Sequence, residues 1–458
     1  MQRDKNGHFL VVGVDIRYNK RLDSSRAITS LIQTNAPNSV PSLRALMQHH
    51  KSTSALLLTV ALTASAGTPV PFGVATFTPL PGPSATSADT PYTMSDDSSI
   101  IVGFSTSANL TVPVKWVNDN FALLPLPPGN TQGIARSITA DGSIIVGNAG
   151  SSFNPRAVKW IDNVPVLIPG PSTNVRSMAA GISADGTFIA GTAEPTNSSR
   201  PAWFSLTASG YLPSLQYPLN SFGTGEAISP DGRFIVGTSV RASGAQSACL
   251  WTDLGVPIQL PDVPGIPAGS GAYDINREAT IVVGTAGIYA VRWVNGGVPE
   301  LLGSYSNDSF FDNLAGDLTD NGRAIVGIGA RSSAIPVAFL WREGRGIAPL
   351  KEVLESEFHL DLTGWTLTAA SAITPSGSAI CGRGTNPQGK VQAWVVRFAP
   401  PCLGDLNNTG TIDTADLVYL LGRFGQIPSA DEPADLNSDG SVNTADLVRF
   451  LGRFGTAC

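Results

Sequence analysis

Seven times between residues 99 and 382 the chain writes a short apolar run that closes on glycine. The copies are SIIVG (Ser99 to Gly103), SIIVG (Ser143 to Gly147), TFIAG (Thr187 to Gly191), RFIVG (Arg233 to Gly237), TIVVG (Thr280 to Gly284), RAIVG (Arg323 to Gly327) and SAICG (Ser378 to Gly382). A tryptophan follows each within 9 to 14 residues: Trp116, Trp160, Trp203, Trp251, Trp293, Trp341 and Trp394. Ahead of the run stand an Ile, Leu or Met and a turn, as in ITADG (Ile138 to Gly142) and ISPDG (Ile228 to Gly232). After the tryptophan most units carry a Leu- and Pro-rich piece such as LLPLPPG (Leu123 to Gly129). Each unit thus offers four short strands. Asp-Gly between apolar runs suits a tight hairpin, and the glycine after the apolar pair suits a bulge or a close backbone approach. Four-stranded units recurring every 43 to 55 residues specify a β-propeller.

Closure is written into the ends of the array. The seventh unit stops at AWVVRFAPP (Ala393 to Pro401) without a fourth strand, while VATFTPLPG (Val74 to Gly82) precedes the first unit and reads as that missing strand. Joining the two removes the free edges a sheet must otherwise protect. The Ile and Trp positions are the expected core contacts between neighbouring sheets. With 48 Gly, 34 Pro and only 14% charged residues, the composition favours turns and short strands over long charged helices.

The segment MQHHKSTSALLLTVALTASAG, from Met47, has a polar start with Lys51, an apolar run and Ala64-Ser65-Ala66 as a small-residue cleavage site. It reads as a secretory signal peptide over 47–66, too short in its apolar run for a membrane span. Residues 1–46 have no place in such a signal, and Met47 is the expected start. Export would deepen the formal net charge from −6 to −11, because eight basic and three acidic residues go with residues 1–66. An acidic surface argues against nucleic acid and anionic membranes. Only His359 would remain, so a multi-histidine metal site is excluded.

Residues just before the Ile of each first strand should lie near the central channel, among them Arg136, Glu226, Tyr273, Asp274 and Asp317. Two readings of them stand side by side: a carboxyl couple for glycoside hydrolysis, which needs two acids facing each other across a sugar, and solvated polar groups around a water-filled channel. Asp141, Asp185 and Asp231 read as turn residues, Cys249 and Cys381 as buried free thiols, and His359 as a loop residue.

The C-terminal 57 or so residues hold one acidic unit twice, GDLNNTGTIDTADLVYLLGRFG and ADLNSDGSVNTADLVRFLGRFG. The first places Asp405, Asn407, Thr409, Thr411, Asp413 and Asp416 at loop positions 1, 3, 5, 7, 9 and 12, with Gly410 at 6. The second places Asp435, Asn437, Asp439, Ser441, Asn443 and Asp446 likewise, with Gly440 at 6. Alternate oxygen donors around a tight turn are what a hard cation such as calcium requires, so two ions are expected. Ile412 and Val442, at position 8, are expected to pair the two loops. The apolar residues of the helices that follow, Leu417 to Phe424 and Leu447 to Phe454, are expected to pack on each other. Pro400-Pro401 and IPSADEPA leave no room for a helix before either loop. Cys402 and Cys458 flank the module; in an exported protein a disulfide between them is expected, with two free thiols as the alternative.

Two resemblances follow from these motifs. The repeat A-x-x-I-S-x-D-G-x-x-I-V-G with its tryptophan strand resembles the HAF repeats of secreted bacterial proteins, over about residues 90–398. The duplicated loop-then-helix unit with Asp at position 12 resembles the type I dockerin domain. That likeness implies calcium-dependent folding and docking onto a cohesin-like protein, as in assemblies that degrade polysaccharides. Thr414-Ala415 and Thr444-Ala445 are then the partner-reading residues. Two departures bear on it: Thr409 lowers the charge of the first site, and Leu421-Gly422 and Leu451-Gly452 stand where polar contact residues are usual. The expected architecture is mainly β: a seven-bladed β-propeller over 67–399, closed by an N-terminal strand and followed by a small all-α calcium-binding module over 400–458. The favoured function is a secreted, non-catalytic glycan- or protein-binding propeller; the alternative is a propeller glycoside hydrolase or polysaccharide lyase.

Overall fold

The computed structural model describes residues 9–11, 14–16, 75–151, 154–172, 175–194, 199–205, 207–215, 222–253, 255–266, 269–303, 314–330, 336–399, 404–406, 411–426, 434–436 and 441–456. Residues 1–66 form one unit and residues 67–458 another. In the first, Phe9–Val11 pairs with Val14–Ile16 in an antiparallel hairpin. The expected signal segment, 47–66, lies outside the described residues.

Among the described residues of the second unit stand seven four-stranded antiparallel sheets and three short helices. The first strands of the sheets are Ala88–Met94, Gly133–Ile138, Arg176–Ile182, Gly223–Ile228, Ser270–Ile275, Leu314–Leu318 and Thr366–Ile373. Each touches the first strand of the next sheet, and the seventh touches the first, so the sheets are blades around a closed ring. This is a seven-bladed β-propeller. Its cores lie between blades: Val102 and Leu124 of blade 1 pack with Ile138, Ile145 and Trp160 of blade 2.

The expected closure is present. Ala75–Pro79 adds to Val391–Phe398 as the fourth strand of blade 7, in register from Ala75 opposite Phe398 to Pro79 opposite Trp394. Arg397 fastens the seam, donating to both carboxylate oxygens of Asp119 in blade 1 at 2.8 and 3.0 Å and to the Ser98 carbonyl at 2.8 Å.

The tryptophan and the Leu-Pro piece of the repeat serve one contact. The indole Nε1 of Trp116, Trp160, Trp251 and Trp293 donates to the carbonyl of Pro81, Pro125, Pro213 and Pro261, each in the preceding blade, at 2.6–2.8 Å. A buried indole thereby keeps its hydrogen bond while its ring fills the gap between sheets. Two tryptophans depart from this register. Phe204, not Trp203, lies opposite Ile189 and is fully buried. In blade 7, Val396 holds the equivalent place opposite Ile380 and Trp394 lies over Gly382. There the Trp394 Nε1 is buried without a hydrogen-bond partner.

Turn chemistry explains the S/T-x-D-G stretch. In blade 2 the Thr139 hydroxyl donates to Asp141 at 2.6 Å, the Ser143 amide donates to the same carboxylate at 3.0 Å, and Gly142 turns with φ +76°. Asp185 and Asp231 are held in the same way. All three are turn residues, as expected.

The helix Leu350–Glu357 (α1) lies in the insertion before blade 7, where Leu350, Val353 and Leu354 join the local core. His359 follows it with φ +54°. Near the C-terminus stand Thr414–Arg423 (α2) and Thr444–Leu451 (α3), which bury Leu420 and Phe450 with Leu406, Ile412, Leu436 and Val442. Two expectations are corrected here. Ile412 and Val442 do not pair with each other: Ile412 exchanges hydrogen bonds with Gly455 and Thr456 after α3, and Val442 with Gly425 and Gln426 after α2. Nor do the helices bury all their apolar residues, since Val418, Leu421, Phe424, Val448, Leu451 and Phe454 remain exposed. A core this small is filled by one residue per helix with its loop partners. No helix among the described residues is long and apolar enough to cross a membrane.

Candidate functional site

The repeat glycine and a bulge build the channel together. Across from Gly147 the inner strand pairs through Ala135 and resumes at Ser137, leaving Arg136 as an extra residue. A Cβ on Gly147 would stand 2.0 Å from the Ile134 carbonyl oxygen, so only glycine lets the two strands approach there. The same close approach recurs at Gly103, Gly191, Gly237, Gly284, Gly327 and Gly382, at 1.9–2.1 Å. Each blade has the bulge, and the extra residues are Tyr92, Arg136, Ala180, Glu226, Tyr273, Gly316 and Ser371. A bulge sets two residues against one and re-aims side chains. All seven line a central cavity of about 340 Å³, together with their followers Ser137, Asp274 and Asp317.

The five channel residues expected from the sequence are therefore brought together. The ring's other members, Tyr92, Ala180, Gly316 and Ser371, were missed by that reading, although a signal for them exists. Every bulge residue stands two places before the Ile, Leu or Met that ends the inner strand, as Tyr92 does before Met94.

Charge is unevenly spread around the ring. Glu226, Tyr273, Asp274 and Asp317 occupy the consecutive blades 4, 5 and 6. Arg136 comes from blade 2, its guanidinium 5.2 Å from the centre of the Tyr92 ring of blade 1. Among the described residues no carboxylate pairs with Arg136, and its Nε is buried without a hydrogen-bond partner. Small residues at blades 3 and 7, Ala180 and Ser371, leave the lumen open between these arcs.

Asp274 and Asp317 are hydrogen-bonded to each other. Burial pushes both carboxyls above the usual range, Asp274 further than Asp317, and the neighbouring Asp317 adds to the rise of Asp274. Asp317 also accepts its neighbour Leu318's amide at 2.7 Å and the Ile373 amide at 2.9 Å, the second of which ties blade 6 to blade 7. Two carboxyls in hydrogen-bond contact cannot flank a sugar, because glycosidase carboxyls stand at least about 5 Å apart. Asp274 with Asp317 is thus excluded as a hydrolytic couple.

One mouth of the channel is crossed. Arg277, in the turn after the inner strand of blade 5, binds Asp320 of blade 6 at 3.0 Å and Asp96 of blade 1 at 3.4 Å. Partial burial raises the Asp96 carboxyl, and Arg277 opposes that rise.

Outside the channel, Cys249 and Cys381 are free and buried, as expected. Burial pushes the Cys249 thiol up to about 12 and raises Cys381 as well. Neither is a nucleophile at neutral pH.

At the C-terminus, Asn407, Thr409, Asn437, Asp439, Cys402 and Cys458 lie outside the described residues. Of the other expected calcium ligands, Asp405, Asp416 and Asp446 are buried. Asp416 accepts the Leu406 amide at 2.7 Å and the Asp413 amide at 2.9 Å, while Asp413 accepts the Ala415 amide at 2.7 Å. Asn443 and Asp446 form the same capping box at the start of α3. Thr411 and Ser441 sit beside these caps at the ends of their loops. Thr414, Ala415, Thr444 and Ala445 are exposed on the first turns of the two helices. Among the described residues no group of three or more His, Cys, Asp or Glu side chains is arranged to hold a metal. The donor set is nevertheless all oxygen, the kind a hard cation takes, and each half buries one of its carboxylates, Asp416 or Asp446.

No protein-family model matches the chain. No curated protein matches it either. Among solved structures, it is similar to TolB from Acinetobacter baumannii, with 13% identity, 58% of this chain and 64% of that one covered, and a TM-score of 0.39. The chain thus spans slightly less than two thirds of the length of that TolB. It is similar to oligogalacturonate lyase from Vibrio parahaemolyticus at 9% identity, covering 71% of this chain and 98% of that one, with a TM-score of 0.43. The β-propeller domain of the Trilobed protease from Pyrococcus furiosus matches at 11% identity, over 68% of this chain and 95% of that one, with a TM-score of 0.44.

Proposed function

We propose that this is a secreted, non-catalytic propeller of the HAF-repeat kind that binds a glycan or protein ligand. Its duplicated C-terminal unit, of the type I dockerin kind, folds around two calcium ions and attaches the propeller to a cohesin-like partner through Thr414-Ala415 and Thr444-Ala445. One observation carries the attachment reading: both halves repeat the same arrangement, a buried aspartate accepting the amide of the residue that caps the following helix. The exposed Thr-Ala pairs then stand at equivalent places on α2 and α3. Cys402 and Cys458 would clasp the module's ends.

Calorimetric titration of residues 67–458 with calcium tests this. Two ions are expected, the site containing Thr409 the weaker, with loss of α2 and α3 on chelation. Absence of calcium binding overturns the attachment reading.

The alternative, a propeller glycoside hydrolase or polysaccharide lyase, keeps support from Glu226 and Arg136 lining one cavity of ligand size. Turnover of a polysaccharide by the purified chain, lost in Glu226→Gln, would favour it over a binding role.

A further inference from the structure

The lumen at the bulge ring carries charges that its own walls do not balance. Three carboxyls lie on one arc and one guanidinium on the other, and two of the carboxyls, Asp274 and Asp317, are hydrogen-bonded to each other. Two acidic groups, Glu226 and the hydrogen-bonded pair, thus share the lining with one guanidinium. Among the described residues Glu226 has no ion pair or hydrogen bond, and Arg136 rests on the Tyr92 ring with a buried, unmet Nε. Charges gathered on a cavity without partners are costly unless something supplies the partner. The occupant that fits has an ammonium at the end facing blades 4 to 6 and oxygen acceptors at the end facing Arg136.

Size and wall chemistry narrow the class. About 340 Å³ is at the small end of ligand pockets. Tyr273 adds an aromatic face between Glu226 and Asp317, and Ser137 and Ser371 add hydroxyls. A saturated ring that presents a C–H face to an aromatic and hydroxyls around its rim uses all of these. Arg277 crosses one mouth of the channel.

We infer that the propeller channel binds a small amino sugar with a free amine: its ammonium held by Glu226 and the Asp274–Asp317 pair, its ring on Tyr273 and its hydroxyls on Arg136. This rests on reading the propeller as a binding body and names the ligand of its lumen.

Calorimetry of residues 67–458 with glucosamine tests it, with N-acetylglucosamine, glucose and lysine as comparisons. Glucosamine should bind, and acetylation of the amine should weaken binding by about tenfold or more, as loss of a buried charge partner does. Glu226→Gln should weaken it similarly while the thermal midpoint stays near that of the parent. Arg136→Met should weaken glucosamine and leave its preference over N-acetylglucosamine intact. Failure of glucosamine to bind, equal binding of glucose, or tighter binding of lysine would overturn the inference. A glycan array in parallel separates the two levels. Binding of some other glycan that survives Glu226→Gln would retain the binding body and reject the lumen as its site.

Discussion

Arg277 of blade 5 and Asp96 of blade 1 approach to 3.4 Å although their blades are not neighbours, because the contact spans the channel mouth. Both side chains are near 44% exposed, so the pair is a surface ion pair. Arg277→Ala should therefore cost less than about 1 kcal/mol in urea unfolding. The difference should shrink at about 1 M salt, where screening acts within about 3 Å. A cost of several kcal/mol would mean that the ring is held by this contact and not merely covered by it.

Asp274 supplies a pH prediction. Its carboxyl lies well above the usual range in the folded chain, so the folded state holds a proton that the unfolded chain releases near its ordinary value. The resulting stability is fully present below that ordinary value and is lost as pH rises through the folded one. Asp274→Asn removes the dependence while keeping a donor for Asp317. The variant should lose less thermal stability than the parent between weakly acid and neutral pH. Asp141 and Asp185 act in the opposite sense, since their turn hydrogen bonds hold them below the usual range. Their contribution is present above the ordinary value and is lost as pH falls through the folded one.

Gly147→Ala should be among the most damaging single methyl additions in the propeller. Its Cβ would meet backbone, the Ile134 carbonyl oxygen at 2.0 Å, and neither strand can yield without undoing the bulge at Arg136. A loss of about 3 kcal/mol is expected from overpacking of this kind. Gly129→Ala gives the contrast: φ is +80° there but nothing lies within 4 Å, so only the dihedral cost of about 1 kcal/mol applies. Equal losses at the two sites would show that collision is not what glycine avoids at 147.

The repeat itself revealed blade number, closure and the channel arc, because each depends on residue types that recur at fixed spacing. Gly147 and its counterparts could be read as sites of close approach before any strand was placed. What they make room for could not: that a bulge aims Arg136, Tyr92 and Ser371 inward is a matter of register, and register is set between strands. Trp203 and Trp394 show the same limit, since one step along a strand hands the buried place to Phe204 or Val396 and leaves the sequence motif unchanged. Arg277 with Asp96 joins turns 181 residues apart, a pairing that ring closure alone creates. In the C-terminal pair the helix starts were readable from Asp413 and Asn443. The partners of Ile412 and Val442 were not, because each lies beyond the other unit's helix.

Strand Ala75–Pro79 gives the molecule an order of events. Thr76 meets Arg397 across 321 residues, so the propeller's first strand to leave the ribosome is the last that can be seated. Bringing ends so far apart together costs about 5 kcal/mol of chain entropy, recovered only when blade 7 receives its fourth strand. Until then the nascent chain has no finished ring and both sides of the seam are bare. Emergence of Val391–Phe398 is thus the event that locks the propeller, and a chain cut short anywhere before residue 398 would never reach that step.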